Sequence, residues 1–407
     1  WAAVVLVLSQ AGSLVYRAHA GTSDVSVFIR TAEVVREGGA GPGLYAQPDA
    51  LSGWARTIPP AGLWPFVVAG PLGATGVGVA WALVNLVLVA VGACAALSLL
   101  SRAGRTPSRT TGLWVVALWM VLASASLQVG QFSILFATCW LVGGAAVATG
   151  RHVAAGLAFA WPTLIKLYPA FLLPGLFASL TWRRTLLGLA VGGLTWAMVL
   201  PLWAIGAEST ALLGGFLQHV VFSPDGRVAT YFSGAISVTN QGLEPFLARY
   251  LTHSPDFHGR YRVLHVDAPA LLGPVALLTR GTIVSATAWT AYQARRLPVL
   301  QGAPAQVALW ASALYAMLPE TKARYAVYVF PAFLWWIIVW TRVPLRAGTR
   351  VGRGVVVSGF ALVLLGALPR GLLAWGVGYP VSVAVWLITL GLTFRALRRS
   401  WWAEDRW

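Results

Sequence analysis

The sequence predicts an all-α polytopic membrane bundle of about 11–13 transmembrane helices, and three observations carry that expectation. Hydrophobic residues make up 58% of the 407-residue chain and charged residues only 10%, where soluble domains run near ~25% charged. Mean hydropathy is +0.72. The apolar residues also come in stretches of about 20, the length that crosses a hydrocarbon core. The net charge of +17 is nearly all arginine, Lys166 and Lys322 being the two lysines. In a soluble protein such a surplus would point to nucleic acid. Here the arginines punctuate apolar runs without forming a basic tract, so no nucleic-acid partner is expected. Cys94 and Cys139 lie inside apolar runs, which excludes a disulfide framework or a cysteine-based metal site.

In chain order the apolar runs place helices at roughly 1–16, 74–100, 111–127, 132–149, 153–165, 169–180, 185–206, 268–292, 303–319, 325–341, 354–369 and 374–394. The first reads as a truncated spanning helix, not as a signal peptide. Residues 61–73 are apolar but shorter than the about 20 needed to span; lying at the surface, re-entering and spanning at a tilt all remain open. Residues 153–180 are interrupted by Pro162, Lys166 and Pro169. A helix that breaks and turns back near Lys166 is expected over one long kinked helix, because broken backbone at membrane depth is tolerated beside protein or a wet cavity. Residues 1–407 then form a single integral-membrane domain with two long connections, 17–62 and 207–267.

Arginine placement orients the bundle. Arg102, Arg105, Arg109, Arg151, Arg183, Arg184, Arg295, Arg296, Arg342, Arg346, Arg350, Arg353, Arg395, Arg398, Arg399 and Arg406 are assigned to the cytoplasm, where they face only Glu404 and Asp405. The opposite side mixes the other basic residues with nearly all the acids and is close to neutral. Both long connections face outward in this scheme, so the chain is expected in the cell membrane with its polar groups at the outer, periplasmic rim.

Those polar groups are few. In the first connection Val25, Phe28, Ile29, Ala32 and Val35 share one helical face, giving an amphipathic helix suited to the interface. Asp24 sits at its N-cap, a position that stabilises a helix by about 1 kcal/mol; an acid at the membrane rim also suits a general base acting on a hydroxyl. Gln131, in the turn Gln128-Val-Gly-Gln131, either faces a hydroxyl-bearing ligand or is an ordinary turn residue. Lys166 lies in an apolar stretch, where ionisable groups pair or line a pathway; it suits an anionic phosphate or a structural ion pair. Asn240 and Gln241 offer paired amides for sugar hydroxyls, equally ordinary in a turn. His219, His253, His258 and His265 lack metal-ligand spacing and read as solvated. Lys322 and Arg324, just ahead of Tyr325 at the head of a helix, make an anion site or a headgroup anchor. Trp335 and Trp336 read as interfacial belt and packing, and Arg280 as snorkelling or paired.

Taken in order, these pieces resemble a known family. They are Ser23-Asp24 with its helix, Tyr45, Ile58-Pro59-Pro60, Gly130-Gln131-Phe-Ser-Ile, Lys166-Leu-Tyr-Pro169 and Thr239-Asn240-Gln241-Gly-Leu-Glu-Pro-Phe-Leu-Ala-Arg249. Their order and spacing resemble the bacterial polyprenol-phosphate-mannose-dependent α-1,2-mannosyltransferases, C-type integral-membrane glycosyltransferases that include the enzymes extending phosphatidylinositol mannosides and lipomannan. The resemblance implies the C-type fold and a catalytic acid at Asp24. The family's Gly-Gln-x-Asn pattern is Gly130-Gln131-Phe132-Ser133 here, and its Asn-Gln-Ser is Asn240-Gln241-Gly242. Where members read Pro-x-Ser-Trp-x-His, this chain has Pro319-Glu-Thr-Lys322-Ala-Arg324, so arginine stands at the histidine position.

By that resemblance the partners are a polyprenyl-phosphate sugar donor, a glycolipid or lipoglycan acceptor and membrane lipids. Lys166, Lys322 and Arg324 would hold the phosphate, with Gln131, Asn240, Gln241 and Tyr325 around the sugar. Asp24 would deprotonate the acceptor hydroxyl for a single inversion at the anomeric carbon. No cofactor and no obligatory divalent ion are expected. Two other readings stand beside this one: a C-type transferase using arabinofuranose or an aminosugar, and a lipid or solute transporter.

Overall fold

The computed structural model describes residues 1–39, 41–103, 108–166, 168–174, 182–222, 240–318, 322–341 and 370–398. Its regular structure there is helical, apart from an isolated bridge between Pro48 and Ala55. Six helices among the described residues are long and apolar enough to cross a membrane: Pro60–Ala103, Arg109–Val129, Trp182–Ile205, Pro269–Ala294, Arg324–Thr341 and Gly378–Arg398. Ser133–Ala148 and His152–Ile165 are shorter apolar helices. The all-α polytopic membrane bundle is therefore the observed fold. The span count is lower than expected partly because Ala2–Ala20 and Val299–Met317, at 19 residues each, carry more polar side chains. The predicted helix at 354–369, the end of 169–180, and the 223–239 stretch of the long connection lie outside the described residues.

The core sits on Val299–Met317 and Phe330–Thr341, which are buried along almost their whole length. A central helix so placed must satisfy its polar groups internally. Gln306 does so at its amide nitrogen, donating Nε2 to the Ala291 carbonyl at 2.6 Å. Trp335 and Trp336 are buried, not interfacial, which corrects the belt half of their reading. Their indole N–H groups reach Thr393 and Thr389 hydroxyls at 3.1 and 2.9 Å, and a buried indole needs such an acceptor. Arg280 does not snorkel alone but pairs with Glu244 at 2.8 Å. Leucines such as Leu83, Leu277 and Leu278 stay exposed on outer helix faces, the surface a lipid chain would cover.

Two segments matter for the site. The Pro60–Ala69 helix, only 10 residues long, packs against the Asp24–Arg36 helix and Leu200–Ile205 before a turn at Gly70–Leu72 leads into Gly73–Ala103. The His152–Ile165 helix ends at Lys166, whose backbone is extended (φ −143°, ψ 138°), and a short 3-10 turn follows at Tyr168–Leu172. The break expected from Pro162, Lys166 and Pro169 is real, and one continuous kinked helix is excluded. That broken helix crosses Trp182–Leu194 closely enough that a Cβ on Gly156 would clash with the Thr185 carbonyl. Such small-residue crossings are how membrane helices gain contact without a hydrophobic driving force.

Candidate functional site

The Asp24–Arg36 helix begins one residue earlier than its capping logic suggested. Its N-cap is Ser23, and Asp24 is the first helical residue. The Ser23 amide donates to Ser26 Oγ at 3.3 Å and the two hydroxyls lie 3.2 Å apart, a reciprocal capping box. Serine thus does the capping, and the Asp24 carboxylate is left for other partners. The predicted apolar face of this helix is buried, but so are Val27 and Thr31 on its flank. It is therefore packed into the protein, with Phe28 against Phe66 and Phe132 at ring distances of 5.5 and 5.4 Å, instead of lying half in the interface.

Two other elements close on Asp24. The Arg109–Val129 helix ends at Gly130 in the left-handed conformation (φ 70°), and a Cβ there would come within 2.7 Å of Val25 Cβ. Glycine lets the turn press against the residue after Asp24 and delivers Gln131. The third element is the 3-10 turn Ala323–Val329, with Lys322 at its N-cap and Arg324 and Tyr325 in its first turn. The Ser126 hydroxyl donates to the Arg324 carbonyl, tying this turn to the Gln131 hairpin.

The resulting geometry is asymmetric. Arg324 Nη1 donates to Asp24 Oδ2 at 2.8 Å and Gln131 Nε2 donates to the same oxygen at 3.0 Å. Asp24 Oδ1 has no hydrogen-bond partner among the described residues. Gln131 Nε2 also lies 3.5 Å from the Tyr325 hydroxyl, and the Arg324 guanidinium stands 5.4 Å over the Tyr325 ring. Asp24 and Arg324 side chains keep 16% and 19% exposure, so a ligand can reach the pair. Behind them is a relay that sequence reasoning missed: Tyr328 donates to Ser133 Oγ at 3.1 Å, and Ser133 donates to Gln131 Oε1 at 3.3 Å. With its carbonyl end held by Ser133, the Gln131 amide must turn its NH₂ toward Asp24.

Lys166, Asn240 and Gln241 sit on other elements. Lys166 follows Ile165, whose side chain meets Gly62 at the head of the short Pro60–Ala69 helix, so it borders the element on which the Asp24 helix packs. Asn240 and Gln241 precede the Leu243–Leu251 helix. Gln241 donates Nε2 to the Leu373 carbonyl at 3.0 Å and accepts from the Gly378 amide at 3.1 Å, clamping the chain between Arg370–Ala374 and Gly378–Arg398. Asn240 Oδ1 accepts from the Gly242 amide at 3.1 Å, and its carbonyl accepts from Arg249 at 2.6 Å. Arg249 is fully buried, and that burial lowers its pKa to about 10, against the opposing effect of Tyr250. The Leu243 amide bonds to the Leu318 carbonyl at 3.4 Å, which joins this clamp to the link leading into Lys322 and Arg324.

The group of three metal-ligating side chains found among the described residues is His253, His258 and His265, which the spacing had suggested were separate and solvated. Tyr45 and Ile58, two of the motif positions, do meet: the Tyr45 hydroxyl donates to the Ile58 carbonyl at 2.9 Å.

No curated protein matches the chain significantly. A family model, Glycosyltransferase family 87, matches residues 57–318, which take in Gln131, Lys166, Asn240 and Gln241 and leave Asp24, Lys322, Arg324 and Tyr325 outside. Because that match covers more than half of the chain, and the fold is a membrane helix bundle, the protein belongs to glycosyltransferase family 87.

Proposed function

We propose that the chain is an inverting mannosyltransferase that moves mannose from polyprenyl-phosphate-mannose to a hydroxyl of a glycolipid or glycan, forming an α-linkage, α-1,2 by resemblance. The observation that carries the reading is the Asp24 carboxylate, held through Oδ2 by Arg324 and Gln131 with Oδ1 open. A general base needs this arrangement, one oxygen fixed and the other aimed at the proton it takes. The acceptor oxygen forms the new bond to the anomeric carbon while its proton passes to Asp24 Oδ1. The bond from that carbon to the phosphate oxygen breaks, and polyprenyl phosphate leaves with the electron pair.

Arg324 has a second use in this scheme. Its charge offsets Asp24, so an anionic phosphate can approach without net repulsion, and it adds to Lys322 and Lys166 in stabilising charge that builds on the leaving group. Asn240 and Gln241, whose amides bond to backbone, are held in place to line the substrate side of the segment that joins Leu318. The arginine distribution supports a cell-membrane location with this site on the outer side.

One observation favours a second donor. Arginine stacked on Tyr325, where a histidine is expected by resemblance, suits a C-type transferase of another polyprenyl-phosphate sugar, an arabinofuranose or an aminosugar. Membership of a glycosyltransferase family argues against the transporter reading. The separating experiment offers the purified chain labelled polyprenyl-phosphate-mannose, -arabinofuranose and -aminosugar in parallel with a mixed glycolipid acceptor. Transfer of mannose above the other two is expected; transfer of a pentose or aminosugar alone would replace the mannose assignment.

A further inference from the structure

The three histidines of the second long connection are brought together by a reversal of the chain. The Pro255–Tyr261 helix ends at Arg262, which adopts the left-handed conformation (φ 49°, ψ 40°). The return segment is then pinned alongside the outgoing one, with the Val266 amide on the Tyr250 carbonyl at 2.7 Å and the Ala268 amide on the Leu251 carbonyl at 2.9 Å. His265 is thereby set opposite His253, and His258 projects from the helix on the other side of His265. The ring centroids of His258 and His265 are 4.0 Å apart, and those of His253 and His265 5.0 Å.

The hydrogen bonds fix which nitrogens are available. His258 Nε2 lies 2.9 Å from the Arg249 carbonyl and His265 Nδ1 lies 3.4 Å from the Val263 carbonyl. A carbonyl only accepts, so His265 Nδ1 carries its proton and Nε2 a lone pair. His258 Nδ1 lies 3.0 Å from both the amide and the carbonyl of Ser254, and with the ring proton on Nε2 toward the Arg249 carbonyl it accepts from that amide. His253 Nδ1 faces His265 Nε2 at 2.9 Å. Handing the distal N–H to a backbone carbonyl is the arrangement that orients metal-ligating imidazoles and sets their tautomer. One ligand nitrogen from each ring lies within 4.8 Å of the others. An ion at about 2.1 Å from each nitrogen in a tetrahedral shell sets the nitrogens about 3.4 Å apart, so the widest pair closes by up to about 1.4 Å, within reach of the exposed His253 ring.

We propose that His253, His258 and His265 form a three-histidine site for a divalent ion of the zinc type, with water completing the shell. Imidazole nitrogen suits such ions, and a set of three nitrogen ligands disfavours magnesium and calcium, which take oxygen. On binding, the proton of His253 moves from Nδ1 to the solvent-facing Nε2, and His258 Nδ1 exchanges the Ser254 amide, 3.0 Å away, for the metal. The ion would staple the Arg262 reversal and, through His258 and the Arg249 carbonyl, the segment whose Arg249 side chain holds Asn240. It is a structural role, independent of the sugar chemistry at Asp24.

The test uses the full chain in detergent, purified without a histidine tag, stripped with chelator and re-exposed to zinc sulfate. The expected result is about one tightly held zinc per chain by elemental analysis, falling at least about tenfold in both H253Q and H265Q and unchanged in H219Q, whose histidine lies outside the cluster. These variants leave buried His258 in place, and their helical circular dichroism reports folding. Zinc should also slow tryptic cleavage at Arg260 and Arg262 several-fold in wild type and not in H265Q. Zinc retained equally by wild type and the H253Q/H265Q double variant, or lost equally in H219Q, would overturn the proposal.

Discussion

Two aspartates on one short stretch of this chain, Asp24 and Asp49, each pair with an arginine, and the pairs are built for opposite ends. Asp49 is 1% exposed, and Arg30 grips it with two bonds, Nε to Oδ1 at 2.8 Å and Nη2 to Oδ2 at 2.6 Å. The Ser52 amide and hydroxyl add two more to Oδ2, at 2.9 and 2.5 Å. Both of its oxygens are satisfied, and these bonds hold the Asp49 carboxyl well below the usual carboxylate range, the Arg30 bond contributing most and burial opposing it. Asp24 shares one oxygen between one arginine and one amide and leaves the other open. A fully bonded carboxylate can only hold the loop together. A half-bonded one at an accessible rim can still accept a proton. Satisfaction of lone pairs, more than the presence of a charge partner, separates the structural pair from the site.

The sharpest way to break this comparison is to neutralise each acid in turn. D24N keeps the shape and the capping by Ser23 but removes the base, so transfer should fall by about 10³-fold while chromatographic behaviour and helical content stay those of wild type. Initial rates with labelled donor measure it, and near-wild-type turnover would remove Asp24 from the mechanism.

D49N should do the reverse. Removing one partner of a buried pair costs about 3 kcal/mol through the charge left uncompensated, so the expected outcome is a lower unfolding midpoint with turnover per folded molecule little changed. The same pair makes stability depend on acid. Because the folded pKa of Asp49 is depressed, its contribution is present above the ordinary carboxylate value of about 4 and is lost as pH falls below it toward the folded value. Wild type should lose stability over that range, whereas D49N should show a flatter profile in denaturant titrations at successive pH values.

How much of this was legible in the sequence follows from range of interaction. Hydropathy is a local property summed over about 20 residues, so the membrane bundle and the break at Lys166 between two prolines could be read directly. Asp24 and Gln131 were also readable, since a lone acid and a lone amide at the ends of apolar runs stand out. What joins them was not: Arg324 lies 300 positions from Asp24 and Tyr328 lies 195 from Ser133, and only packing brings them together. Asp49 was missed because a single acid in a Pro-Asp-Ala loop carries no pattern. The histidines were misread for a related reason. Their spacing fits no single helix face, and it takes the left-handed turn at Arg262 to bring the third back to the first.

The smallest predicted effect tests whether the asymmetry at Asp24 is actively maintained. Gln131 could present either end of its amide to the carboxylate, and the carbonyl end would repel it. Ser133 removes that choice by donating to Oε1, and Tyr328 holds Ser133 in turn. Losing the Ser133 hydroxyl leaves Gln131 tethered only by the contacts of its NH₂, so its amide samples both orientations. One neutral hydrogen bond contributes about 1 kcal/mol, or roughly fivefold in a rate. S133A should therefore lower transfer a few-fold, with the loss in turnover and not in donor affinity, because Ser133 positions a group and touches no substrate. S133N, which restores a donor at the same position and the residue expected there by resemblance, should recover most of the rate. If S133A instead weakened donor binding with turnover intact, Ser133 would line the donor pocket and the relay behind Gln131 would have no part in aiming Asp24.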